Sequence, residues 1–182
     1  VVDLRVSVTV NDEGVLFDFE GCDIQRRAPV NSTFSMTFSA CAYVLRTLVA
    51  QDVPINHGFY QFVRLNAPPG TVVNVLHPGA VVGGWETQIR VNDLLFKALS
   101  SGIPEKVPAG CKAMMAQAGF GLIDETTGEY HCNYEALAGG YGGRAYLDGP
   151  DAVQGHGQNT ENAPVEEIEA HFPIRISRLE LI

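Results

Sequence analysis

Leu4, Val6, Val8 and Val10 alternate with polar residues, and Val15, Phe17 and Phe19 alternate again after the turn-forming run Asn11-Asp12-Glu13-Gly14. This period of two predicts an antiparallel hairpin with one buried face. After the connection from Gly21 to Pro29, Asn31, Ser32 and Thr33 are each suited to cap a helix N-terminus. Phe34, Phe38, Cys41, Ala42, Leu45, Leu48 and Val49 then recur on one side of a helix. It should end near Gln51, because Asp52-Val53-Pro54 disfavours continuation. Phe62-Val63-Arg64-Leu65 reads as a strand, and Pro68-Pro69-Gly70 as a turn before Val72 to Leu76. Pro78-Gly79 and Gly83-Gly84 break the chain. From Glu86 the apolar positions Val91, Leu94, Leu95 and Ala98 mark a second amphipathic helix, closed by Ser100-Ser101-Gly102.

Beyond Pro104 the periodicity weakens. Phe120-Gly121-Leu122 fits a half-buried strand or a short helix, and the pair Met114-Met115 reads as core filler. Gly139-Gly140-Tyr141-Gly142-Gly143-Arg144 is too rich in glycine for the interior of a regular element. It predicts a loop in which backbone comes close to something. Ile174, Ile176, Leu179 and Leu181 read as a terminal strand. The expected fold is α+β, with antiparallel or mixed sheets, two amphipathic helices over 34–51 and 86–101, and Gly-rich loops. Neither an internal repeat nor a linker divides residues 1–182.

Composition narrows the classes. In 182 residues there are 12 basic and 21 acidic side chains, giving a formal net charge of −9, with 46% hydrophobic residues. That length can bury a substantial core. Phosphate binding relies on clustered Lys and Arg, so the acidic balance argues against a nucleic-acid partner and against anionic membrane surfaces. No apolar run reaches the length of a bilayer span. A soluble, cytoplasmic protein is expected. The chain begins Val1-Val2-Asp3 without an initiator Met, which predicts a processed chain or a piece of something longer. Cys22, Cys41, Cys111 and Cys132 lie far apart, without the paired spacing of a zinc site or a redox dithiol. They read as reduced thiols, and no metal ligand is assigned in the chain. Cys41 falls on the apolar stripe of the first helix; a catalytic thiol at Cys22, Cys111 or Cys132 stays open as an alternative, although nothing local argues for an activated one.

Two segments carry candidate chemistry. The glycine segment with Arg144 has two readings: a backbone nest for a phosphate or carboxylate, or a tight crossover with Arg144 as a clamp. Composition favours the crossover. The segment also lacks the Lys-Ser/Thr ending of a phosphate-binding loop. The second is Gly155-His156-Gly157-Gln158-Asn159-Thr160, followed by Glu161-Asn162-Ala163-Pro164-Val165-Glu166. Here His156 suits a base or a metal ligand, while a hydrogen-bonded scaffold histidine is the plainer alternative. His57, His77, His131 and His171 show no ligand spacing. No serine sits in a nucleophile-elbow context.

The order of the motifs is more specific than any one of them. Val15-Leu16-Phe17-Asp18-Phe19-Glu20-Gly21-Cys22-Asp23, Pro29-Val30-Asn31-Ser32-Thr33, Val53-Pro54-Ile55-Asn56-His57-Gly58-Phe59 and Ala67-Pro68-Pro69-Gly70-Thr71 come first. Gly83-Gly84-Trp85-Glu86-Thr87, Tyr134 to Arg144, and His156 to Glu166 follow. In this order they resemble the hydantoinase B/5-oxoprolinase family, the partner of hydantoinase A in ATP-dependent cyclic amide hydrolases. The resemblance implies an internal, central-to-C-terminal segment of such a subunit. The family's upstream Asp/His-rich set, associated with a divalent metal, is not in this sequence. The family also carries two histidines ahead of its Asn-Thr pair, where this chain has Gln154 and His156.

The resemblance further implies that a hydantoinase A-type partner, using ATP and Mg, phosphorylates the substrate oxygen. The hydantoinase B part, with the remainder of its own subunit, then completes hydrolysis of a hydantoin, 5-oxoproline or another lactam. An acetone- or acetophenone-type carboxylase segment and a non-catalytic assembly module are the alternatives, and the isolated chain is expected to be inactive. On this reading His156, Arg144 and Glu135 are the catalytic candidates, and Asn159, Thr160, Gly140, Gly142 and Glu86 the candidates for holding a small cyclic amide or ketone.

Overall fold

The computed structural model describes residues 1–49 and 52–180. The expected end of the first helix near Gln51 and the Leu181 end of the expected terminal strand lie outside those residues. Strands β1 (Ser7–Asn11) and β2 (Gly14–Asp18) form the antiparallel hairpin, with Val8 opposite Phe17 and Val10 opposite Val15. Strand β3 (Val63–Asn66) adds to β2 in parallel, placing Leu65 beside Phe17. The sheet is therefore mixed, in the order β1-β2-β3. Phe17, on the central strand, is fully buried, whereas Val10 near the hairpin tip is 71% exposed. Gly14 makes this join feasible. It sits at φ +130°, and a Cβ there would stand 2.4 Å from the Phe62 carbonyl oxygen, which accepts the Val15 amide at 2.8 Å.

Helix α1 (Phe34–Val49) begins after Thr33, whose hydroxyl accepts the Met36 amide at 3.3 Å. Asn31 has a different task. It is fully buried, accepts the Arg26 amide at 2.7 Å, and donates to the carbonyls of Arg26, Ala28 and Ala80. Of the α1 residues expected to face inward, Cys41, Ala42 and Leu48 are buried, while Phe34 and Val49 at its two ends are exposed. After the four-residue helix α2 (His57–Tyr60) and β3, helix α3 (Gly84–Leu99) packs against α1. Ala40, Cys41 and Val44 of α1 share one core with Val91, Leu95 and Phe96 of α3 and with Phe17 and Phe19. Each large side chain so removed from water contributes roughly 1.5–3 kcal/mol.

The second half of the chain is more open. Strands β4 (Ala116–Ile123) and β5 (Tyr130–Leu137) form an antiparallel hairpin, deciding the strand-or-helix ambiguity around Phe120. Strands β6 (Gly139–Gly140) and β7 (Asp151–Val153) pair briefly, and helix α4 (Val165–His171) buries none of its side chains. The expected terminal strand is not formed among the described residues. Phe172, Ile174 and Ile176 do alternate as half-buried positions, but no neighbouring strand offers a ladder. The Ile176 amide is satisfied instead by the Glu169 carboxylate at 2.7 Å. No helix among the described residues is long and apolar enough to cross a membrane.

Candidate functional site

Strand β7 and the turn after it carry His156 back to the face of the helical core. Gly157 follows at φ +76°, a left-handed conformation that turns the chain away again. The His156 side chain is only 4% exposed. Its ring lies 4.5 Å from the ring of Phe96 on α3, 4.6 Å from Tyr141 and 5.8 Å from Tyr43 on α1. The Asn92 side chain, one helical turn before Phe96 in the core, donates to the His156 carbonyl at 3.3 Å. Three separate stretches thus fix one imidazole.

Its two nitrogens have different surroundings. Nδ1 lies 3.1 Å from the Tyr43 hydroxyl. Nε2 is buried without a hydrogen-bond partner and faces Asp93 Oδ1 at 3.8 Å. Burial pushes the His156 pKa down to about 4, against the smaller opposing pull of Asp93. The ring is therefore neutral at pH 7, and its approach to Asp93 is that of an imidazole to a carboxylate, not an ion pair. Beside them, the Cys111 amide donates to Asp93 Oδ1 at 3.2 Å, and the Cys111 thiol lies 3.9 Å from Oδ2. One donor atom each from Asp93, Cys111 and His156 all fall within 4.8 Å of one another.

The glycine segment is zipped onto residues 109–112. Ala109 N–H donates to the Gly143 carbonyl, Gly142 N–H to Gly110, and Lys112 N–H to Gly140, at 3.0, 2.9 and 2.9 Å. A Cβ on Gly142 would lie 2.5 Å from the Ala109 Cβ, which is the close backbone approach that the glycines predict. The amides of Tyr141, Gly142 and Arg144 donate to the carbonyls of Pro150, Gly110 and Leu147. With those amides used, this segment does not fit a nucleotide phosphate as a backbone nest.

Beside this zipper opens a cavity of ≈ 240 Å³, walled by Tyr43, Phe96, Tyr141 and His156, with Lys106 and Arg144 also among its lining. Lys106 and Arg144 are exposed, and neither forms an ion pair among the described residues. Burial raises the Tyr141 pKa, with smaller contributions from the neighbouring Tyr43, Cys111 and Asp93, and keeps its hydroxyl protonated. The walls suit a small, flat, largely apolar molecule, and the cations suit an anionic group on it.

Of the residues expected from the sequence, His156, Arg144 and Gly142 meet at this cavity. Glu135, Glu86, Asn159, Thr160 and Gly140 do not line it. Glu135 accepts the Ala163 amide at 2.9 Å and Glu86 the Met115 amide at 3.1 Å, so both carboxylates hold backbone in place. Asn159 and Thr160 are exposed beyond Gly157. Gln154 bridges Lys112 Nζ, at 3.1 Å, and the Ala136 carbonyl, at 2.9 Å. Tyr43, Asp93, Lys106 and Cys111 were not singled out by the sequence as site residues. Their one visible signal is Asp93, a charge set beside buried Asn92 on a helix face that otherwise turns inward.

The family model described as hydantoinase B/oxoprolinase matches residues 1–182. A Pseudomonas protein named as the B component of a D-/L-hydantoinase is 33% identical over 98% of this chain, which spans 31% of that protein. The 5-oxoprolinase of Dictyostelium discoideum is 30% identical over 99% of this chain and 13% of its own length. The ATP-dependent caprolactamase of Pseudomonas jessenii superposes with a TM-score of 0.78 at 19% identity, over 97% of this chain and 31% of that one. An acetone carboxylase superposes equally well, with a TM-score of 0.78 at 18% identity, over 94% of this chain and 24% of that one. The fold alone does not separate those two chemistries. With its whole length matched, the chain belongs to the hydantoinase B/oxoprolinase family.

Proposed function

We propose that the chain is part of the hydantoinase B-type subunit of an ATP-dependent cyclic amide hydrolase, acting after a hydantoinase A-type partner has phosphorylated the substrate oxygen. The observation that carries this reading is the cavity pairing aromatic walls and a neutral His156 with two cations that have no acidic partner among the described residues. ATP with magnesium, held by the partner, supplies the phosphoryl group, which turns a resonance-stabilised amide oxygen into a leaving group.

In this chain, Arg144 and Lys106 receive the anionic group, Arg144 as a planar fork. Tyr43, Phe96 and Tyr141 hold the ring of the amide and exclude water. His156 holds the Tyr43 hydroxyl through Nδ1. When Nδ1 carries the proton it donates to the Tyr43 oxygen, and the Tyr43 O–H is left to donate to negative charge developing on the substrate. Gly142 keeps the wall thin, and Glu86 and Glu135 hold the backbone at Met115 and Ala163. The remainder of the subunit closes the site.

The test is a complete hydantoinase B-type subunit carrying this segment, mixed with its hydantoinase A-type partner and ATP, and assayed on 5-oxoproline, hydantoin and caprolactam. Arg144→Ala is expected to lower kcat/KM by about 10–100-fold, the worth of a charge-assisted hydrogen bond, with an unchanged Tm. His156→Ala is expected to lower both turnover and Tm, because the ring is buried. Unchanged turnover in Arg144→Ala, or no complex with the partner, sinks the reading. Bicarbonate-dependent consumption of a ketone in place of lactam hydrolysis would transfer the segment to the carboxylases.

A further inference from the structure

We propose that Asp93, Cys111 and His156 form a binding site for one zinc-type divalent cation, an inference that stands apart from the proposed reaction. The three donors come from α3, from the strand-like stretch zipped to the glycine segment and from the loop after β7, and they converge on a single point. His156 Nε2 and Asp93 Oδ1 are 3.8 Å apart, and Cys111 Sγ and Asp93 Oδ2 are 3.9 Å apart. A tetrahedral ion with bonds of about 2.0–2.3 Å holds its ligand atoms roughly 3.3–3.8 Å apart. With one donor atom from each residue, all three lie within 4.8 Å of one another, so contraction by up to about an ångström closes the site. The second observation is His156 Nε2 itself. It is a buried ring nitrogen with no hydrogen-bond partner, on a side chain only 4% exposed, and it is aimed at the carboxylate. Such an atom costs stability unless something occupies its lone pair or proton.

A Cys-His-Asp nucleophile relay uses the same residue types, but its geometry is different. In a relay the imidazole stands between thiol and carboxylate, one on each nitrogen. Here Tyr43 occupies Nδ1, and Asp93 touches both the thiol and Nε2. Convergence of all three donors is what a cation requires. Thiolate with imidazole selects zinc-like ions over magnesium or calcium, and thiolate plus carboxylate balance a double positive charge around a neutral ring.

Outer contacts are also in place. The Cys111 amide donates to Asp93 Oδ1, the Ala113 amide donates to Cys111 Sγ at 3.4 Å, and the Tyr43 hydroxyl sits at Nδ1. A cavity of ≈ 380 Å³ reaches Asp93, with Phe96, Lys97 and Gly110 also in its lining, and would admit an ion from the Asp93 side. Metal on Nε2 would fix the Nδ1–H tautomer.

Cobalt titration of the reduced, chelator-treated 182-residue chain tests the site. The expected result is saturation at a single equivalent, with near-ultraviolet sulfur-to-cobalt charge-transfer absorption that zinc abolishes. Cys111→Ser should remove that absorption, the exposed Cys132→Ser should retain it, and Tyr43→Phe should keep it while weakening binding by about 10–100-fold. Far-ultraviolet circular dichroism checks that each variant is folded. Should Cys111→Ser fail to fold, Asp93→Asn decides, since the amide keeps the shape and the acceptor for the Cys111 amide but loses the charge. Wild-type affinity in Asp93→Asn, charge-transfer absorption surviving in Cys111→Ser, or cobalt binding without it would overturn the proposal.

Discussion

Cys41 takes no part in the site, yet its thiol reports on the core around it. Burial raises its pKa from 9.0 to about 12, against a smaller lowering by a backbone hydrogen bond. The unfolded thiol titrates near 9.0, so the folded state binds the proton more tightly. Its stabilising share is therefore whole below about pH 9 and is lost as pH rises toward about 12, at about 1.4 kcal/mol for each pKa unit. Urea unfolding of the wild type and of Cys41→Ala between about pH 8 and 11 checks this, with a shallower pH slope expected for the variant. A parallel slope in both proteins would show that Cys41 ionises as freely when folded as when unfolded. At this scale the sequence marked His156 and Arg144, because polar and cationic groups stood out in Gly-rich loops. Asp93 and Cys111 escaped, since each looks ordinary among its neighbours and their meeting spans 18 positions.

Among elements, three successive residues competed to cap α1, and the structure divides their labour. Thr33 takes the Met36 amide, while Asn31 ties three carbonyls and an amide of the surrounding loops together inside the protein. Thr33→Ala is expected to cost about 1 kcal/mol. Asn31→Ala should cost more than ~2 kcal/mol, because it strands several buried polar groups. Equilibrium denaturation ranks the two, and the reverse order would contradict the assignment. The β1–β2 hairpin and both long helices were legible, since each buries one face and writes its own period into the chain. The parallel partnership of β2 with β3 was not, because register between strands separated by two helices leaves no local pattern. The alternation at residues 172–176 was misleading for the opposite reason: it records half-burial against the fold without any strand to pair with.

Across the whole molecule, burial is uneven. α1, α3 and the three-stranded sheet share the core, whereas the β4–β5 hairpin turns Phe120, Ile123, Tyr130 and Tyr134 outward. Native-state hydrogen exchange should therefore protect the amides of β2, α1 and α3 far longer than those of β4 and β5. Equal protection in both regions would show that the hairpin is covered more fully than its exposure indicates. The chain spans about a third of the Pseudomonas relative and less of the Dictyostelium one.

The sequence by itself determined the family, the two long helices and the β1–β2 hairpin. All of these rest on periodicities and motif orders that neighbouring residues carry together. Tertiary structure alone decided that Tyr43, Asp93, Phe96, Cys111 and Tyr141 surround His156. A site of this kind is a coincidence in space between segments distant along the chain, and no local pattern is under physical pressure to announce it.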